Sequence, residues 1–220
     1  MRVVVIRHHD VDSAGFIAEA FQARGAVVRT YLCPGDDALP DLSGVDHVVV
    51  CGAIQSVNDD LSWIAAERDW LRAADRAGIP IFGICFGAQQ LSILFGGGVE
   101  RAPRSEIGWF SVDTLAPDLV PAGPWLEYHY DRCLPSPGVR VLASNELCVQ
   151  AFTIGKHLAV QFHPEVDGEQ LKRWLDAGGY AQTLALGLDP DAFLAQTIRE
   201  EPSARARARV LVETALSLAR

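Results

Sequence analysis

The chain has 220 residues, 49% of them hydrophobic, and a formal net charge of −9. That length fits one large domain spanning residues 1–220, and the apolar content is enough for a substantial core. An acidic chain without a basic stripe argues against nucleic acid and anionic membranes as partners. From the N-terminus, RVVVIR (2–7) reads as a buried strand, followed by a helix from Ser13 to Arg24 that stops at Gly25. AVVRTYL (26–32) is the next strand, and a Pro/Gly/Asp-rich loop runs to Gly44. DHVVVC (46–51) is a third strand. Asp60 is a good N-cap for a helix that carries Trp63, Ile64, Trp70 and Leu71 and ends at Gly78. IPIFGI (79–84) is a fourth strand, and FGAQQLSILF (86–95) is a helix closed by three glycines.

This alternation predicts a parallel, doubly wound sheet with helices on both faces. Right-handed crossovers place the strand ends, and any site, along one edge. From 109 to 162 the pattern changes to strand-like pieces with turns: WFSVD, WLEYHY, VRVLAS, CVQAFTI, a Gly155-Lys156 turn and HLAVQF. The tail from Asp167 is helical, and its basic run at Arg205, Arg207 and Arg209 reads as the solvated face of a last helix. The opening apolar run is four residues long, too short for a signal or spanning segment, and no later run approaches about 18. Five cysteines, at 33, 51, 85, 133 and 148, form no C-x-x-C pair. Neither a disulfide framework nor a zinc knuckle is expected, and the setting is a reducing cytoplasm.

Gly83-Ile84-Cys85-Phe86-Gly87 places a cysteine between two glycines where a strand turns into a helix. Such a turn exposes its central residue at the strand's C-terminal edge, the form of a nucleophile elbow. Unpaired N–H groups in the first helical turn favour a thiolate. A free cysteine is also among the most buried residue types, so the local string alone leaves a core role open. A base is available in VQFHPEV, where a strand ends at His163, Pro164 stops the ladder, and Glu165 follows. A carboxylate two positions after the histidine can fix its tautomer and raise its basicity.

The sequence resembles the class I glutamine amidotransferases, and in particular stand-alone members related to the amidotransferase domain of GMP synthase. The resemblance is carried by GICFGAQQL, QFHPEV, EIGW (106–109), GAIQSVND (52–59) and LASNELCVQAF (142–152). It implies a three-layer α/β/α fold, flavodoxin-like, whose central mostly parallel sheet is extended by a few antiparallel strands. By the same resemblance Cys85 would be the nucleophile, His163 the base and later the acid, and Glu165 the residue orienting His163. The backbone N–H groups of Phe86 and Ala53 would form the oxyanion hole. Gln89 would shape the glutamine pocket, and Tyr130 and Asp131, from EYHYDR, would help hold the α-amino and carboxylate groups. The implied reaction is hydrolysis of the glutamine side-chain amide through a thioester, with no cofactor, supplying ammonia to a separate synthetase or acceptor. Two departures bear on this. The oxyanion loop reads Gly52-Ala53-Ile54 where the family usually has Gly-Gly-Pro, and Tyr130 replaces a glycine. The alternatives are a γ-glutamyl peptidase or hydrolase acting on γ-linked peptides, and a catalytically weak regulatory or binding protein.

Other polar and aromatic residues carry weaker signals. His8, His9, Asp10 and Asp12 cluster after the first strand, but adjacent residues seldom converge on one ion, and no metal site is expected. Asn58 and Asp59 read as capping residues. Trp63, Trp70 and Trp174 read as packing residues, and Trp109 and Trp125 as minor pocket candidates.

Overall fold

The computed structural model describes residues 1–35 and 38–219; the loop expected before Gly44 includes residues 36 and 37, which lie outside the described residues. The first half alternates as expected: β1 (Arg2–Arg7), α1 (Gly15–Ala23), β2 (Val27–Leu32), β3 (His47–Val50), α2 (Ser62–Arg76), β4 (Ile81–Ile84) and α3 (Phe86–Leu94). The strands then run β5 (Gly98–Phe110), β6 (Asp113–Thr114), β7 (Trp125–Leu134), β8 (Arg140–Ser144), β9 (Val149–Ile154) and β10 (His157–Val160). Helices α4 (Gly168–Trp174), α5 (Tyr180–Ala185) and α6 (Pro190–Leu218) follow, with a kinked segment, Leu175–Gly179, between α4 and α5.

The main sheet has the order β2-β1-β3-β4-β10-β9-β8-β6. Its first five strands are mutually parallel, and β10, β9, β8 and β6 continue it antiparallel. Side chains alternate across it. Val3, Val5, Val49, Phe82 and Ile84 pack towards α1 and α6, while Val4, Ile6, Val48, Val50 and Ile81 share the other face with residues of α2 and α3. This period of two, buried on both faces, is what a central parallel sheet requires.

Several expectations are corrected. Leu61, not Asp60, occupies the N-cap of α2, and no side chain caps that helix. Asp59 instead accepts the Ser56 N–H, closing the preceding loop. Strand β5 begins at Gly98 although its first half is polar. It pairs antiparallel with β7 in a separate two-stranded sheet, with an irregularity between Arg101 and Glu106 that accommodates Pro103. The basic run is not simply solvated: Arg205 lies over the Phe16 ring and Arg207 over Trp125, with Arg209 exposed. Trp125 is buried against Phe162, and Trp109 Nε1 donates to Thr197 Oγ1 at 2.9 Å, so both belong to packing.

Candidate active site

Three strand ends meet at one edge of the sheet. Pairing of β4 with β10 sets Ile84 beside Val160, so the next residue, Cys85, donates its N–H to Val160 O at 2.8 Å. Cys85 has φ +51°, the sole positive value among the described non-glycine residues. A side chain held there costs about 1–3 kcal/mol. The flanking glycines make the turn sterically feasible. A Cβ on Gly83 would lie 2.5 Å from the Gly87 carbonyl, and one on Gly87 would lie 2.3 Å from Val50 O. Phe86 opens α3, so its N–H has no partner within the helix.

His163 lies just beyond β10, anchored by its N–H to Leu126 O at 2.8 Å. Its Nδ1 is 2.7 Å from Glu165 Oε1, and both side chains are buried. Glu165 is itself fixed by α1, whose Phe16 N–H donates to the Glu165 carbonyl at 3.1 Å. Burial works against a charged His163, but the Glu165 carboxylate and the Cys85 sulfur outweigh it and raise its pKa well above that of an ordinary histidine. The other ring nitrogen, Nε2, has no partner at hydrogen-bond length and is left to meet Cys85. Gly52, after β3, sits against this pair: a Cβ there would lie 2.8 Å from His163 Cε1. Gln161, buried, donates from Nε2 to Cys85 Sγ at 3.6 Å and accepts from Cys133 Sγ at 3.5 Å.

The structure gathers Cys85, Phe86, Ala53, His163 and Glu165 at this edge. A cavity of about 450 Å³ opens beside them, walled by His9, Asp12, Ala53, Tyr128, Tyr130 and Trp174 among others. Tyr130 therefore faces the cavity, with the Arg101 guanidinium 4.5 Å from its ring centroid. Asp131 is turned elsewhere: its carboxylate accepts from Ser56 Oγ at 2.5 Å and pairs with Arg101 at 3.6 Å. Gln89 Nε2 donates to the Asp131 carbonyl at 3.3 Å, tying α3 to β7 without lining the cavity.

Trp174 is a wall of this cavity that helical spacing did not reveal. Its ring meets His163 edge-on at 5.1 Å, and its Nε1 donates to Asp12 Oδ1 at 2.8 Å. The polar cluster after β1 separates accordingly: Asp12 holds Trp174, while His8 turns inward to Glu67. Behind the site, His129 Nε2 lies between Glu106 at 3.1 Å and Glu127 at 3.2 Å. Cys148 approaches the same group, and Asn145 and Gln150 donate to the Glu106 carboxylate.

An α/β sheet with a thiol on a strained strand–helix turn, facing a histidine oriented by a carboxylate, defines a protein built for acyl transfer. The family model described as glutamine amidotransferase class-I matches residues 14–178. The chain is 34% identical over 157 residues to a glutamine-hydrolysing subunit of GMP synthase from Thermoplasma volcanium, covering 66% of this chain and 75% of that protein. It is 32% identical over 152 residues to gamma-glutamyl peptidase 3 of Arabidopsis thaliana, covering 62% of this chain and 61% of that one. A crystal structure of a glutamine amidotransferase from Thermotoga maritima superposes with TM-score 0.89 at 25% identity, over 98% of both chains. The chain belongs to the class-I glutamine amidotransferase family.

Proposed function

We propose that the chain hydrolyses the side-chain amide of L-glutamine through a γ-glutamyl thioester on Cys85. His163 Nε2 takes the thiol proton as Sγ bonds to the amide carbon. The amide oxygen becomes an oxyanion held by the N–H groups of Phe86 and Ala53. As the C–N bond breaks, His163 returns the proton to the departing ammonia. Water then attacks the thioester, giving up its proton through His163, and glutamate leaves with Cys85 restored as a thiol. Glu165 orients His163 throughout and stabilises its charged form. Gln89, Tyr130 and Asp131 form the substrate side; Asp131 serves through its backbone, since Ser56 and Arg101 occupy its carboxylate.

The observation that carries this reading is the pairing of β4 with β10, which sets the strained Cys85 beside the His163–Glu165 pair. The ammonia is proposed to pass to a separate synthetase partner, because the Thermoplasma relative is by name one subunit of GMP synthase. Five free cysteines fit a reducing, cytoplasmic setting.

A second reading is favoured by the cavity. Its volume falls in the range of pockets for ligands larger than an amino acid, and its aromatic walls, Tyr128 and Trp174, would suit a substituent on the γ-amide. Turnover of glutamine and a panel of γ-glutamyl dipeptides should be compared, with and without a synthetase partner. Glutamine hydrolysis that is slow alone and rises with the partner supports the amidotransferase. Faster cleavage of the dipeptides by the lone chain supports the peptidase. No turnover of either, with Cys85 unlabelled by a glutamine analogue, leaves a regulatory role.

A further inference from the structure

His8 follows β1 directly and is buried, 6% exposed. Its Nδ1 lies 2.7 Å from Gly52 O and its Nε2 lies 2.9 Å from Glu67 Oε2 on α2. A carbonyl oxygen only accepts, so Nδ1 carries a proton and donates it to Gly52. Glu67 is fully buried, and its second oxygen accepts from Gln90 Nε2 at 3.3 Å. Gln90 Oε1 in turn accepts from Arg68 Nε at 2.8 Å. A continuous chain of hydrogen bonds therefore runs from Arg68 through Gln90, Glu67 and His8 to one carbonyl of the loop after β3.

That carbonyl is one end of the peptide whose other end is the Ala53 N–H. A planar trans peptide directs the two oppositely, so fixing the carbonyl fixes the donor. The front of the loop has little to hold it, because Ala53 is only half-buried and Ile54 is 79% exposed. The His8 ring also packs on Phe86, with centroids 4.8 Å apart, and both rings meet Trp63 at 5.4 and 5.5 Å. One imidazole thus touches both residues whose N–H groups serve the oxyanion. A buried ion pair contributes little stability once desolvation is counted. A fixed dipole aimed at developing charge, in contrast, is what acyl transfer exploits.

We propose that His8, braced by Glu67, is a positioning residue that aims the Ala53 N–H at the oxyanion. This rests on the reading of Cys85 as nucleophile and of Ala53 and Phe86 as donors. The test uses His8→Leu, His8→Asn and Glu67→Gln in the full chain, with Cys85→Ala as control. Asparagine can set its Nδ2 where the histidine has Nδ1, keeping the bond to Gly52 without the link to Glu67.

Misaiming a donor should approach the loss of one, so His8→Leu should lower kcat for glutamine by about 10–100-fold, short of the 10²–10³ for outright removal. KM should move by less than about threefold, since the interaction belongs to the transition state. Alkylation of Cys85 by iodoacetamide, which needs no oxyanion donor, should be unchanged. His8→Asn should recover most of the lost kcat. If His8→Leu fails to fold, Glu67→Gln should give the same split to a smaller degree. An unaltered kcat in a folded His8→Leu or Glu67→Gln, an asparagine variant no better than leucine, or alkylation falling in step with kcat would overturn the proposal. Glutamine turnover surviving in Cys85→Ala would instead remove the nucleophile reading on which it stands.

Discussion

Cys85 combines backbone strain with a sulfur that meets Gln161 and the open nitrogen of His163. The other four thiols are held neutral: burial pushes Cys33 up to about 12 and raises Cys51, Cys133 and Cys148. A glutamine-mimicking chloroketone should therefore place one label per chain, on Cys85. Peptide mass spectrometry finding the label chiefly on another cysteine would count against the nucleophile assignment. His163→Ala should lower turnover by at least about 100-fold, the loss of a general base, with the fold intact by circular dichroism. Glu165→Gln should lose less, because its amide oxygen can still accept from Nδ1–H. Near-native turnover in His163→Ala would sink that assignment.

At the scale of elements, the β5–β7 sheet carries a buried charge cluster. Burial opposes a charged His129, yet Glu106 and Glu127 outweigh it and raise its pKa to about 10. Burial pushes the Glu127 carboxyl up. For Glu106 burial acts the same way but is overcome by hydrogen bonds from His129, Asn145 and Gln150, which bring it below its ordinary value. A histidine whose folded pKa exceeds its unfolded value stabilises fully below the unfolded value near 6.5, and loses that contribution as pH rises through about 10. The buried thiols act in the same direction, since the unfolded chain ionises them above about pH 9. Urea midpoints should fall between pH 7 and pH 10. His129→Gln should start lower at pH 7 and fall less by pH 9. Equal slopes for the two proteins would show that His129 does not carry the effect.

On the scale of the whole molecule, α6 supplies one outer layer. Ala204, Ala208, Leu211, Val212 and Ala215 are buried in the cluster that contains Phe16, Ile17 and Phe21 of α1. The family model ends at residue 178, yet the Thermotoga structure aligns over 98% of the chain, so this layer belongs to the shared fold. Removing residues 190–220 would expose that apolar face and the Phe16 and Trp125 rings beneath Arg205 and Arg207. The truncated chain should lose near-ultraviolet circular dichroism and aggregate during gel filtration. A soluble, cooperatively melting product would show that the layer is dispensable.

What the sequence determined by itself was local in its chemistry. A run of apolar residues between glycines sets a strand and an elbow within a few positions, and the His163-Pro164-Glu165 spacing brings a carboxylate to its own neighbour. The alternating apolar runs likewise predict the parallel sheet, because each run must be buried on both faces. Tertiary structure decided what depends on partners far along the chain. The polar first half of β5 is a strand because β7 pairs with it. Trp174 faces His163 because the helical tail folds back over the loop after β1. The Asp131 carboxylate turns from the cavity because Ser56 and Arg101 reach it first, and His8 leaves its polar cluster because Glu67 and Gly52 give a buried imidazole two partners. None of these pairings has a local periodicity; each is fixed by the requirement that buried polar groups find partners once the core has closed.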